Sequence, residues 1–193
     1  MILNVPNIIT FSRILLIPVL TAFLLMIDPE KPLAYNQCMS LWAASVFAIA
    51  AISDLVDGYY ARKFGEVSKI GKFFDPMADK LIHMTAMVLL IPLNRIAAWI
   101  VVVLLFREIF ITGLRAMAAG EGIIIDAAAW GKRKTAWLNV GLSALLIYYP
   151  LFPGKSYELN SYAVGMVCIA IGFVYSVASA INYTLHFFKS VRK

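Results

Sequence analysis

Four aspartates stand in a chain that otherwise avoids charge. Asp54 and Asp57 are three residues apart, and Asp75 and Asp79 are four apart. On a helix the first pair lies about 60° apart around the axis and the second about 40°, so each pair shares a face. The short segment between the pairs makes their helices antiparallel neighbours, which lets the pairs face each other. Four clustered carboxylates repel one another and tend to hold protons unless a cation stabilises the ionised form. Oxygen donors without cysteine, and with His83 the only imidazole nearby, point to Mg²⁺, Mn²⁺ or Ca²⁺ rather than zinc. Capping or snorkelling accounts for any one aspartate, and Asp75 before Pro76 reads as an N-cap. It does not account for paired spacing on both helices. Gly58, Ala61 and Gly71 flank the carboxylates, small enough for a backbone or a planar ligand to approach closely.

The elements that must position these residues are apolar. Of the 193 residues 62% are hydrophobic and 15% charged, against roughly 45–50% and about 25% in globular domains. A globule of this size could not bury so much apolar surface. Lipid is therefore the expected solvent, which excludes a soluble enzyme, a disordered chain and a nucleic-acid-binding domain. Cys38 and Cys168 lie in apolar runs, so no disulfide framework is implied. Six stretches have about the 20 apolar residues a bilayer core requires, at about 8–27, 38–60, 76–94, 96–115, 135–151 and 159–185. The expectation is an all-α integral membrane protein of six transmembrane helices, forming one domain over residues 1–193. The first stretch has neither the basic flank nor the cleavage site of a signal peptide and reads as a mature helix.

Basic residues set the orientation. Arg62, Lys63, Lys69, Lys72, Arg115, Lys132, Arg133, Lys134, Lys189, Arg192 and Lys193 lie on one side, and only Lys31, Arg95 and Lys155 on the other. This places both termini, the 61–72 loop and the 115–134 loop in the cytoplasm, with the aspartates at the cytoplasmic interface. Arg13, Lys80, Arg107 and Glu108 remain in apolar surroundings, where charge marks function. Arg107 and Arg115 lie on one helix near Thr112, and Lys132 and Lys134 begin the next. Such a group suits a phosphate monoester dianion, with Arg giving bidentate bonds and Lys a point charge. For Arg115, Lys132 and Lys134 ordinary interfacial charge is an equal reading. Glu108 points about 100° from Arg107 and is expected to pair with another helix. Arg13 either neutralises the aspartates or meets substrate phosphate, and His83 reads as a satisfied helix histidine. Trp42, Trp99, Trp130 and Trp137 read as belt or packing residues.

Asp54, Asp57, Gly58, Ala61 and Arg62, then eight residues, then Gly71, Asp75 and Asp79 resemble the full signature of the CDP-alcohol phosphatidyltransferase family. The opening Asn4, Pro6, Asn7, Thr10 and Arg13 is similar to that of its bacterial members that use glycerol 3-phosphate. So are Arg107, Glu108, Thr112, Gly113, Leu114 and Arg115, and Gly131, Lys132, Lys134 and Thr135. Leu138 departs, standing where a glutamine is frequent. The resemblance covers the whole chain and implies six transmembrane helices in the bacterial cytoplasmic membrane. It implies that Asp54, Asp57, Asp75 and Asp79 hold two divalent ions, Mg²⁺ or Mn²⁺, on the pyrophosphate of CDP-diacylglycerol, with Asp79 also the general base. It places Gly58, Ala61, Gly71, Arg62, Asn7 and Thr10 around the CDP-lipid and Arg107, Thr112, Arg115, Lys132 and Lys134 around glycerol 3-phosphate. A homodimer is implied as well, since many relatives form one.

Other readings compete. Within the class the alcohol is serine, inositol phosphate or phosphatidylglycerol; the deep arginine favours a phosphorylated one. A divalent-cation carrier would use the aspartates as an ion site, but they lie at one interface rather than midway, and no second broken helix matches them. A structural scaffold leaves the carboxylates unexplained. A prenyltransferase normally needs a longer chain with two separated aspartate motifs.

Overall fold

A computed structural model describes the backbone of residues 5–64, 69–120, 129–149 and 160–191, and the side chains of residues 11–53, 77–120, 131, 133–149 and 160–189. Six helices occupy these segments: α1 (Val5–Leu25), α2 (Leu33–Phe64), α3 (Lys69–Leu90), α4 (Ala98–Gly120), α5 (Ala129–Ile147) and α6 (Ser161–Val191). There is no strand among the described residues. Leu33–Ser53 and Ser161–Lys189 are long and apolar enough to cross a membrane, and Phe11–Leu25 is a shorter apolar stretch.

The helices extend beyond the apolar stretches because hydropathy measures immersion, not helix length. α2 runs on to Phe64 and α3 begins at Lys69, so Arg62, Lys63, Lys69 and Lys72 are helical rather than in a 61–72 loop. Arg115 precedes the end of α4, and Lys132, Arg133 and Lys134 lie in the first turns of α5. Asp75 and Pro76 fall well inside α3, which removes the N-cap reading of that pair.

Lipid-like surroundings demand that every polar backbone group find a partner within the protein. Pro18 has no N–H and interrupts the ladder inside α1, and a turn later the Thr21 hydroxyl donates to the Ile17 carbonyl at 2.9 Å. Ser45, Ser53, Thr135 and Thr184 likewise donate to carbonyls one turn back. Between α1 and α2 the Asn36 side chain staples the turn. Its Nδ2 donates to the Asp28 carbonyl at 2.8 Å, and its Oδ1 accepts from the Asp28 N–H at 3.2 Å. Arg95, which the charge count put on the non-cytoplasmic side, is only 2% exposed. It caps α5, donating to the Leu146 carbonyl at 2.8 Å and to Ser40 Oγ at 2.8 Å, with its guanidinium 4.4 Å from the Tyr148 ring centroid. A cation there matches the negative end of the helix dipole. Tyr148, with φ of 62°, turns the chain away from the cap.

One core runs through the bundle, built on Leu20, Leu24, Phe47, Leu90, Leu104, Leu142, Leu145 and Ile169. α1 lies against α2 and α3, α5 against α2, α3 and α6, and α4 against α6 and α3. Elsewhere the surface is apolar: Leu15, Leu25, Phe106 and Ile109 are each 67–71% exposed. So continuous an apolar exterior is foreign to a monomer in water. α5 and α6 approach through reciprocal notches, with Ile169 over Gly141, Leu145 over Gly165 and Leu138 over Gly172. Leu138, the departure from the family pattern, is thus a packing residue.

A Cβ on Gly141 would meet the Ile169 backbone nitrogen at 3.0 Å and its Cγ1 at 2.9 Å. Gly141→Val should therefore destabilise the fold by about 1–3 kcal/mol through overpacking. Gly113→Ala, whose Cβ would meet nothing within 4 Å, should not lower stability. Thermal unfolding of both variants in one detergent checks the contrast.

Candidate active site

A cavity of about 320 Å³ opens between α3, α4, α5 and α6. Its chemistry comes from four elements. α3 supplies Asp79, Lys80 and His83; α4 supplies Arg107, Glu108, Thr112 and Arg115; α5 supplies Lys134 and Thr135; α6 supplies Ser179 and Tyr183. Met84, Met87, Ile111, Leu138 and Leu142 give it an apolar floor. Residues 79, 80 and 83 recur at helical spacing, as do 108, 112 and 115, which is why one helix face delivers each group.

Glu108 holds the polar wall together. Its Oε1 accepts from Arg107 Nη1 at 2.9 Å and also from Lys134 Nζ of α5. Glu108 was expected to pair with another helix, and it does so through Lys134; it also bonds its neighbour Arg107, because a long guanidinium can fold back along the helix. Arg107 continues the network into α6, with Nε donating to the Ser176 carbonyl at 3.1 Å and Nη2 to Ser179 Oγ. Three of its five N–H groups are thereby committed within the protein. Lys134 is 8% exposed, an ammonium that could not stay buried without its carboxylate.

Asp79 keeps a carboxylate in the cavity with a side chain 35% exposed. His83 backs it from one turn further on. Its Nδ1 lies 2.6 Å from the Asp79 carbonyl and 3.5 Å from Asp79 Oδ1, while Nε2 meets the Asn139 amide on α5. Both ring nitrogens therefore face oxygens, the Asp79 carbonyl and Asn139 Oδ1, and a ring N–H donates to the oxygen it meets. His83 is thus a satisfied helix histidine, as its position suggested, and it ties the Asp79 turn of α3 to α5. Arg115 lies at the rim with its guanidinium 6.0 Å from the Tyr183 ring centroid.

The cavity therefore gathers Arg107, Thr112, Arg115 and Lys134, which the sequence grouped for a phosphate, with Asp79, which the sequence grouped with the other aspartates. It adds Lys80, Ser179 and Tyr183, and Asn139 backs it through His83. Lys80 was visible as a charge in an apolar helix but had no assigned partner. Ser179, Tyr183 and Asn139 carry no spacing signal and are found only through the packing of α5 and α6. The side chains of Asp54, Asp57, Gly58, Ala61, Arg62, Gly71, Asp75, Asn7, Thr10 and Lys132 lie outside the described ones, although α1, α2, α3 and α5 include these positions. Arg13, on α1, is 1% exposed.

Comparison with known proteins adds an independent line. Residues 3–178 match the family model of CDP-alcohol phosphatidyltransferase. A relative from Bacillus subtilis is 36% identical over 189 residues, covering 93% of each chain. One from Treponema pallidum is 33% identical, covering 82% of this chain and 75% of its own. One from Pseudomonas fluorescens is 38% identical, covering 78% and 75%. All three are named CDP-diacylglycerol–glycerol-3-phosphate 3-phosphatidyltransferase.

Removing the Glu108 carboxylate leaves two cations without their acceptor. Glu108→Ala should destabilise the protein by about 1–3 kcal/mol. The loss should shrink in a Glu108→Ala/Lys134→Met double variant, a coupling that a thermodynamic cycle measures.

Proposed function

This chain belongs to the CDP-alcohol phosphatidyltransferase family, and on that premise we propose that it transfers the phosphatidyl group of CDP-diacylglycerol to the 1-hydroxyl of glycerol 3-phosphate. The products are phosphatidylglycerophosphate and CMP. The observation that carries this reading is the cavity that sets the Asp79 carboxylate beside four cations, Lys80, Arg107, Arg115 and Lys134, against one further carboxylate, Glu108. The surplus of positive charge matches a phosphate monoester, which carries roughly −1.5 to −2 near neutral pH. The names of the relatives support the same two substrates.

The donor set fits divalent ions. Asp79 presents carboxylate oxygens to the cavity, and Asp54 and Asp57 on α2 and Asp75 on α3 supply only oxygen donors, the set preferred by Mg²⁺ and Mn²⁺. When bound, such ions neutralise the pyrophosphate and the departing CMP. The protein's own groups bind, orient and move a proton. Arg115 and Thr112 hold the alcohol's phosphate at the rim, with the charges of Arg107 and Lys134 behind them, and Lys132 adds its charge to the same substrate. Asp79 takes the proton of the 1-hydroxyl as its oxygen bonds to the phosphorus that carries the diacylglycerol. The bond from that phosphorus to the CMP oxygen breaks in line, and CMP leaves with the electron pair. Gly58, Ala61, Gly71 and Arg62, with Asn7 and Thr10, receive the cytidine nucleotide.

The apolar exterior and the lipid substrate support a multi-pass protein of the bacterial cytoplasmic membrane. In that arrangement all six helices span, both termini face the cytoplasm and the cavity opens at the cytoplasmic interface. There a water-soluble alcohol and a lipid both reach it. The family resemblance supports a homodimer.

Purified protein in detergent should release CMP from CDP-diacylglycerol only with glycerol 3-phosphate, and only with Mg²⁺ or Mn²⁺. Release with another alcohol would discard the phosphate pocket, and release in excess chelator would discard the metal role. Asp79→Asn should abolish turnover while leaving CDP-diacylglycerol binding in place. Arg115→Ala should raise the KM for glycerol 3-phosphate far more than that for the lipid.

A further inference from the structure

Lys80 follows Asp79 on α3 and reaches across to α4. Its Nζ donates to Thr112 Oγ1 at 2.7 Å, and Thr112 Oγ1 in turn donates to the Glu108 carbonyl at 2.6 Å. The chain of bonds has one direction. Because the Thr112 proton is directed at the Glu108 carbonyl, its oxygen presents a lone pair, and only a donor such as an ammonium can occupy that side. Lys80 is thereby held in one pose over the cavity with two further N–H groups in hand.

The charges around it sort into two kinds. Glu108 engages Arg107 and Lys134 directly, so those two cations are largely committed to the wall. Among the described residues Lys80 has no ion pair, and its partner is a neutral hydroxyl. The ammonium is half-buried above an apolar floor, and Glu108 acts on it through space rather than by a direct bond. An anionic ligand in the cavity would give it a direct ionic partner.

We propose that Lys80 is a phosphate-contacting residue that makes the enzyme select a phosphorylated alcohol, and that Thr112 is its positioning residue. This deepens the reading given under Proposed function and rests on it. It also changes the role of Thr112: the hydroxyl aims Lys80 rather than binding the phosphate itself. Since Lys80 and Asp79 share one turn of α3, the residue that grips the phosphate and the residue that takes the hydroxyl proton move as one body. The phosphate and the hydroxyl of the alcohol would then be read from one turn of helix.

Lys80→Met, Lys80→Arg, Thr112→Val and Thr112→Ser in the full-length protein test this. Lys80→Met should raise the KM for glycerol 3-phosphate about tenfold or more, the loss of one charge-assisted hydrogen bond, while the KM for CDP-diacylglycerol stays within about twofold. Lys80→Arg should restore most of the affinity. Thr112→Val should weaken glycerol 3-phosphate binding and Thr112→Ser should not, and Lys80→Met/Thr112→Val should be no weaker than Lys80→Met. An unchanged KM for glycerol 3-phosphate in Lys80→Met, or an equal rise for both substrates, overturns the proposal. If the wild type releases no CMP with glycerol 3-phosphate, the reaction assigned above fails. Calorimetric titration with glycerol 3-phosphate then still decides the role of Lys80: weaker binding in Lys80→Met than in wild type supports it, and equal binding or none in either overturns it.

Discussion

A single carboxylate oxygen, Oε1 of Glu108, accepts from a guanidinium on its own helix and from an ammonium on α5, and the site depends on that junction. Arg107 carries the connection to α6 through Ser176 and Ser179, so three helices meet at one anion. The arrangement solves a problem set by the apolar surroundings. Several cations must converge to attract an anionic substrate, yet an uncompensated cluster of cations would drive the helices apart. One negative charge shared between two of them keeps the wall intact and leaves a net positive cavity. With cations only, the bundle would have to open; with a full complement of carboxylates, no anion would enter.

The cavity is amphipathic for the same reason. Its polar wall comes from charged residues of α3, α4 and α5, and its floor from Met84, Met87, Leu138 and Leu142. A reaction between a lipid and a water-soluble alcohol requires such a division, because neither substrate is comfortable in the other's solvent. His83 contributes a quieter constraint. By joining the Asp79 turn to Asn139, it holds α3 against α5, the helix that bears Lys134.

The six helices were legible because apolar length is a one-dimensional property and the bundle's helices are nearly all apolar. Their ends were not legible, since charged residues such as Arg62 or Lys132 continue a helix as readily as they leave it. Spacing along one helix revealed Asp79 with Asp75, and Arg107 and Arg115 with Thr112, because neighbours along a helix are a matter of arithmetic. The bonds that join one helix to another were hidden. Nothing in the spacing tells that Lys80 meets Thr112, that Glu108 bonds both Arg107 and Lys134, or that Arg95 is a buried cap on α5. Those facts depend on how helices distant in sequence are rotated about their axes, and small residues such as Gly141 and Gly172 set that rotation without charge or polarity to announce it.

The notches between α5 and α6 have a mechanical consequence. Gly141 on one helix receives Ile169, while Gly165 and Gly172 on the other receive Leu145 and Leu138, so the knobs point both ways. Sliding either helix along its axis by one residue would drive a side chain into the facing backbone, and rotating it would do the same. The pair therefore behaves like an indexed slide with a single detent. Lys134 on α5 and Ser176 and Ser179 on α6 are kept at one mutual height whatever the occupancy of the cavity. Any adjustment to a substrate of different length must come from α3 and α4, the half of the cavity whose packing is not keyed in this way.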